Sequence, residues 1–312
     1  MYNQYKISVL IITYNQQDVI GRAIESVLDQ KEYGLKEIVI CDDKSTDSNW
    51  DVISKYAKMY PEIIRAYRND PNLGIYPNCE KVVSLRGDAD LYYLLSGDDA
   101  LCNGWFKTIQ EFIQNNDINI HERPISIASD WKIIKSDNKE IIFNNAKMVT
   151  IDNNYMSMFL RGLSSRSVIM NKKVIDKFKH IITDQGVCLA ETLFDRQVFL
   201  YSDKIYYCPY VGSIYYSGLG VSTKMNSEKY IKERIEAYKK ILNIYTLDSK
   251  DASLIQSYIY AQEFSLKPSL SLFIKRLYYK INSLKFQYGL NIKKELIIEG
   301  SMLKKLIKRN NK

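Results

Sequence analysis

EIVICDDKSTD (37–47) decides the fold. Residues 38–41 are an unbroken apolar run, the pattern of a strand buried on both faces, and the run stops at two aspartates. Ser45, Thr46, Asp47 and Ser48 then offer caps for a helix carrying Ile53, Tyr56, Ala57 and Tyr60 on one face, ending at Pro61. Upstream, SVLIITYN (8–15) repeats the design: a buried strand, then a helix with Asp18 as N-cap and Val19, Ile20, Ala23, Ile24, Val27 and Leu28 at helical spacing, closing near Gly34. Downstream, a third strand is predicted over Ile63 to Tyr67. The turn-rich NDPNLGIYPN (69–78) follows, then a helix through Val82, Val83 and Leu85, and a fourth strand, DLYYLL (90–95).

Strands alternating with helices predict right-handed crossovers and a mostly parallel α/β sheet with helices on both faces. Ligands bind such sheets beyond the carboxyl ends of the strands. The small polar motifs fall there: Thr13-Tyr14-Asn15, Asp42-Asp43 and Ser96-Gly97-Asp98-Asp99. Further on, residues 125–135 and 140–143 read as a hairpin, 166–170 as a strand, Glu191 to Tyr201 as helical, and KIYYCP and SIYYS (204–217) as the last strands. Beyond Ser227 the pattern is helical, interrupted at Pro268 and Gly289. The predicted organisation is a catalytic domain over 1–225, its halves 1–105 and 106–225, followed by a basic helical region over 226–312.

With 46% hydrophobic and 26% charged residues, the 312-residue chain can bury a large core. Five cysteines without a C-x-x-C spacing and two distant histidines argue against a disulfide framework and a zinc site. The opening MYNQYKISVLIITYNQ holds only a short apolar run and reads as a first strand, an expectation that places the chain in a reducing cytoplasm. The net charge of +8 is uneven. From Lys267 to Lys312 there are 12 basic residues against Glu295 and Glu299, which is +10 there and −2 for everything before. A solvated helical face and a surface for anionic lipid headgroups both fit that tail; nucleic acid is not expected as a partner.

Aspartates at strand ends can accept hydrogen bonds from a pyrimidine N–H or from ribose hydroxyls, or hold a hard divalent ion that bridges phosphates. An isolated Asp-Asp pair is often only a turn or a helix cap. Two pairs on one edge of one predicted sheet carry the ligand reading.

SVLIITYNQ, the helix ending in SVLDQ, EIVICDDKSTD, NLGIYPN and LLSGDDAL, in this order and spacing over roughly residues 6–105, resemble glycosyltransferase family 2. The resemblance implies the GT-A fold, a Rossmann-like sheet here followed by a helical C-terminal appendage. It implies an inverting hexosyl- or N-acetylhexosaminyl-transferase. Thr13, Tyr14, Asn15, Asp42 and Asp43 would surround the nucleotide, usually a uridine diphosphate, and Tyr14 is the candidate for stacking. Asp98 and Asp99 would stand at the metal-binding D-x-D element with Mn²⁺ or Mg²⁺. The common aspartate at its first position is Ser96 here, so Asp98 and Asp99 are both candidates for the ion, and Asp98 also for the ribose or the ion's water shell.

An inverting displacement needs a base opposite the leaving group. CLAETLFDRQ (188–197) resembles the family's base segment and gives that role to Glu191, with Ala190 replacing an acid and with Asp195 and Asp184 as alternatives. The bland reading of Glu191 is an acid favoured by a helix N-terminus. SIYYSGLGVST (213–223) resembles a lid over the diphosphate without its usual basic residue, and 154–174 corresponds to the acceptor side. The expected acceptor is a saccharide or lipid-linked saccharide of bacterial capsule or lipopolysaccharide assembly, at the inner face of the cytoplasmic membrane. Two rivals remain: a catalytically silent relative acting in assembly, and a sugar nucleotidyltransferase. The second would need a Gly-rich basic loop after the first strand, which TYNQQDVIGRA (13–23) does not supply. A dehydrogenase is disfavoured because no G-x-G-x-x-G follows a strand.

Overall fold

In the computed structural model, residues 5–143, 165–178, 198, 201–218, 228–244, 247, 249–284 and 300–304 are described. Contacts divide the chain into two compact units, one of Met1–Tyr155 and Leu163–Thr223, the other of Met156–Gly162 and Lys224–Lys312.

The first unit is built on strands β1 (Ile7–Thr13), β2 (Leu35–Asp42), β3 (Ile64–Arg68), β4 (Leu91–Ser96), β5 (Ala100–Leu101), β6 (Ile125–Ile134), β7 (Glu140–Phe143), β8 (Val168–Asn171) and β9 (Lys204–Tyr216). They form one sheet in the order β3-β2-β1-β4-β8-β6-β9-β5, with β7 paired to β6. The β3, β2, β1 and β4 quartet is parallel. Beyond it, β8 runs antiparallel to both β4 and β6, while β6 and β9 are parallel. Among the described residues, α1 (Ile20–Leu28), α2 (Asn49–Met59), α3 (Ile75–Ser84) and α4 (Trp105–Asn115) pack on the sheet, as does a single helical turn at Lys172–Ile175.

β1 and β2 form because their apolar runs have cover on both faces: Val9, Leu10, Ile11, Val39 and Ile40 are fully buried. Each such side chain contributes roughly 1.5–3 kcal/mol of burial free energy. Ile20, Ala23, Ile24 and Val27 of α1 bury the predicted helical face against that core. Asp18 does not cap α1, however. Val19 takes the N-cap position, and no side chain bonds the first turn. At α2 the cap position falls on Ser48 without a side-chain bond. Asp47 supplies the acceptor instead, taking the Asn49 N–H at 3.0 Å.

The last two predicted strands are one. β9 runs unbroken from Lys204 to Tyr216, and its register against β6 shifts at Ser129 and Asp130, opposite Cys208 and Val211. Pro209 lies in that irregularity, where its missing N–H costs no ladder bond.

In the second unit, α5 (Glu228–Ile244), α6 (Ser249–Leu266) and α7 (Leu270–Leu284) pack in succession, and Pro268 lies between α6 and α7 as the sequence predicts.

Candidate functional site

Strand register brings the polar motifs together. Thr13 pairs with Asp42, and Ile12 pairs with Ser96, so the ends of β1, β2 and β4 lie side by side on one edge. The buried Asn49 of α2 ties two of them, its Nδ2 donating to Thr13 Oγ1 at 3.1 Å and to Asp42 Oδ1 at 2.7 Å. Thr13 Oγ1 in turn donates to Gln16 Oε1 at 2.7 Å. Asn15 adopts φ +52°, a left-handed conformation that asparagine tolerates. There its N–H donates to Ser45 Oγ at 2.9 Å, and its Oδ1 accepts the Thr46 N–H at 2.8 Å. Tyr14 beside it is 46% exposed.

Both carboxylates of the Asp42-Asp43 pair are engaged by the protein. Fully buried Asp42 accepts the Ser45 N–H at 3.1 Å, the Ser45 hydroxyl and the Asn49 amide, and it pairs with Arg68 Nε at 3.3 Å. A carboxylate offers about four lone-pair sites, so these partners fill it. Asp43 accepts Asn69 Nδ2 and the Leu73 N–H on Oδ1 and the Gly74 N–H on Oδ2, each at 2.8 Å. Its carboxylate therefore clamps the NLG loop (72–74) to the end of β2 and keeps about one acceptor site for a ligand.

Asp98 and Asp99 follow β4 in a turn pinned by the Gly97 N–H to Ile12 O bond of 2.9 Å and the Asp99 N–H to Ser96 O bond of 3.0 Å. Gly97 is required by close approach. A Cβ there would meet Gln16 Oε1 at 2.5 Å and Thr13 Cβ and Ile20 Cδ1 at 2.9 Å. Burial pushes the Asp98 carboxyl up, while Arg166, Arg22 and a hydrogen bond from Gln16 pull it back. Asp99, 8% exposed, is pushed up to about 7, first by burial and then by the charge of Asp98.

Two arginines that sequence reasoning missed stand over this pair. Arg166 Nη1 lies 3.4 Å from Asp99 Oδ2, and its guanidinium sits 4.0 Å above the Tyr215 ring. Its backbone carbonyl accepts hydrogen bonds from the Tyr93 hydroxyl and, at 2.8 Å, from Ser213 Oγ. Arg22 donates from Nη2 to Asp98 O at 2.6 Å and stacks 3.4 Å over the Tyr216 ring. The Tyr216 N–H donates to Asp99 Oδ1 at 3.3 Å. In sequence, Arg22 is one more polar residue of a helix and Arg166 the edge of a predicted strand. Only the fold reveals that both face Asp98-Asp99.

The donor chemistry of the pair fits a hard divalent ion. Burial, and then the charge of Asp98, raise the proton affinity of Asp99, and a bound cation would offset both. Such an ion commonly takes one or two protein carboxylates and fills its other positions with water and phosphate oxygens. Among the described residues, no group of three or more His, Cys, Asp or Glu side chains could hold a metal.

Glu191, with Asp184, Asp195 and Arg196, lies outside the described residues, as do 154–164 of the acceptor segment and 219–223 of the lid segment. Residues 213–216 of the latter are the end of β9.

A family model described as glycosyl transferase family 2 matches residues 8–177. A Mycobacterium tuberculosis protein described as uncharacterized is 34% identical over 93 residues, 30% of this chain and 26% of its own length. The Escherichia coli UDP-Glc:alpha-D-GlcNAc-diphosphoundecaprenol beta-1,3-glucosyltransferase WfaP is 49% identical over 49 residues, 16% of this chain and 19% of its own. The matched part thus spans under a third of either relative. In fold, the chain is similar to S. aureus TarS 1-349 in complex with UDP-GlcNAc, with a TM-score of 0.59 and 16% identity over 88% of this chain and 79% of that one. The likeness extends to the mixed α/β sheet of GT-A enzymes.

Proposed function

We propose that this chain, which belongs to glycosyl transferase family 2, transfers a sugar from a uridine diphosphate sugar to a hydroxyl of a glycan or lipid-linked glycan, with inversion. The observation that carries the reading is the buried Asp98-Asp99 pair on the same strand edge as Thr13, Asn15 and Asp43, with Arg22 and Arg166 beside it. That edge offers polar donors and acceptors for a nucleoside, and a carboxylate pair with adjacent cations for a diphosphate.

Asp99 and Asp98 would hold Mn²⁺ or Mg²⁺, which neutralises charge on the departing diphosphate. Arg22 and Arg166, fixed by Tyr216 and Tyr215, keep further positive charge beside that position without reorganising. Tyr14 offers an exposed ring for the base, and the remaining lone pair of Asp43 suits a base N–H or ribose hydroxyl. In the transfer itself the acceptor oxygen bonds to the anomeric carbon as the bond from that carbon to the diphosphate oxygen breaks. The bonding pair leaves with the diphosphate, and the acceptor proton passes to a base, for which we take Glu191. Support for Glu191 is the match of CLAETLFDRQ to the family's pattern. Support for a lipid-linked acceptor is the activity in the name of the E. coli relative.

Incubation with uridine diphosphate sugars and Mn²⁺, reading slow release of free nucleotide, tests this. One sugar giving Mn²⁺-dependent release supports it, and Glu191→Gln should keep donor binding while losing transfer. No release from any donor, with the chain folded, would favour a silent assembly relative.

A further inference from the structure

Helix α7 of the second unit is inside out for a helix on water. An amphipathic surface helix turns its apolar stripe inward and its charges outward. In α7, Arg276 and Lys280 are 4% and 6% exposed, whereas Leu270, Ile274, Tyr278 and Ile281 are 61%, 56%, 60% and 53% exposed. At 100° per residue these four fall within an arc of about 80°, so they form one row along the helix. The opposite face is occupied: Leu272 and Phe273 pack on Phe264 and Met302, and the Tyr279 ring lies 5.6 Å from that of Tyr260. Single exposed apolar residues are ordinary, but a contiguous row marks a contact surface.

Charge identifies what the row meets. Lys267, Lys275 and Lys304 are exposed, and Leu303 beside Lys304 adds a fifth exposed apolar residue at 44%. The stretch from Lys267 to Lys312 carries +10, while the rest of the chain carries −2. Two copies meeting through this region would bring like charges together, which disfavours self-association. An apolar row amid basic side chains matches the boundary of an anionic bilayer, where side chains enter the acyl edge and lysines reach headgroup phosphates. Tyr278 suits that boundary, having an apolar body and a polar tip. No helix among the described residues is long and apolar enough to cross a membrane.

We propose that the Leu270-Ile274-Tyr278-Ile281 face of α7, with its exposed lysines, docks on an anionic lipid surface. The inference stands apart from the sugar-transfer reading and can fail without it.

Co-sedimentation of the full chain with phosphatidylglycerol vesicles, and separately with phosphatidylcholine vesicles, at low salt tests it. The chain should pellet with the first and stay in solution with the second. Ile274→Asp, at an exposed position and checked for unchanged circular dichroism, should weaken binding roughly tenfold or more. Lys275→Glu should weaken it roughly fivefold and lose its effect at high salt. Pelleting that Ile274→Asp leaves unchanged, or absence of pelleting with phosphatidylglycerol, overturns the proposal. So does a solution dimer that Ile274→Asp dissociates, because a second copy would then cover the face.

Discussion

Replacing Asp43 by asparagine separates its two readings, loop clamp and ligand contact. The carboxylate takes Asn69 Nδ2 and the Leu73 N–H on one oxygen and the Gly74 N–H on the other. An amide keeps one oxygen. If that oxygen stays with Asn69 and Leu73, the new NH₂ faces the Gly74 N–H, donor against donor. If the amide flips, it faces two donors instead. Either way at least one buried, charge-assisted bond is lost, and the group is 3% exposed, so water does not replace it. A hydrogen bond to a charged group is worth ~1.5–3 kcal/mol, and about 2 kcal/mol is the expected loss. For a unit of this size that is a fall in Tm of about 4–8 °C. Asp43→Ala, which removes all three bonds, should fall further. Thermal melts followed by circular dichroism, with and without uridine diphosphate, are the assay. A variant that melts with the wild type yet no longer binds nucleotide would refute the clamp, since the carboxylate would then act on the ligand alone.

Gly97→Ala should destabilise by ~1–3 kcal/mol, because its Cβ would lie 2.5 Å from Gln16 Oε1 and 2.9 Å from Thr13 and Ile20; a melt equal to the wild type would show that the turn can shift. The thiols of Cys41 and Cys208 are pushed up by burial to about 12 and about 11, so at neutral pH they should resist alkylation. Among the described cysteines, Cys102, also raised but half-buried, should react first in peptide mapping, and rapid labelling of Cys41 would contradict the buried β2.

The parallel quartet was legible because its strands announce themselves locally. Runs such as Ile38 to Cys41 have no polar alternation and stop at polar turns, and their alternation with helices implies parallel pairing. Caps were less legible. Asp18 is a suitable residue type that does not cap, and of the four candidates Ser45 to Ser48 it is Asp47 that bonds the second helix start, because capping depends on backbone angles that composition does not encode. KIYYCP and SIYYS read as two strands where an irregularity in the ladder at Pro209 lets one continue. The Asp42-Asp43 and Asp98-Asp99 pairs were visible as motifs. Their division of labour was not, since it depends on Asn49, Arg68, Asn69 and the NLG loop arriving from elsewhere. Arg22 and Arg166 lie 76 and 67 residues from the aspartates they approach, and no local signal joins them.

Calorimetric titration of uridine diphosphate into the chain, with and without Mn²⁺, for the wild type and for Asp98→Asn and Asp99→Asn, measures whether this pair holds the ion. Wild-type binding should strengthen with Mn²⁺, and at least one substitution should abolish that gain while leaving the melt intact. Binding indifferent to Mn²⁺ in all three proteins would contradict the assignment of Asp98-Asp99 as the site's ion-binding pair.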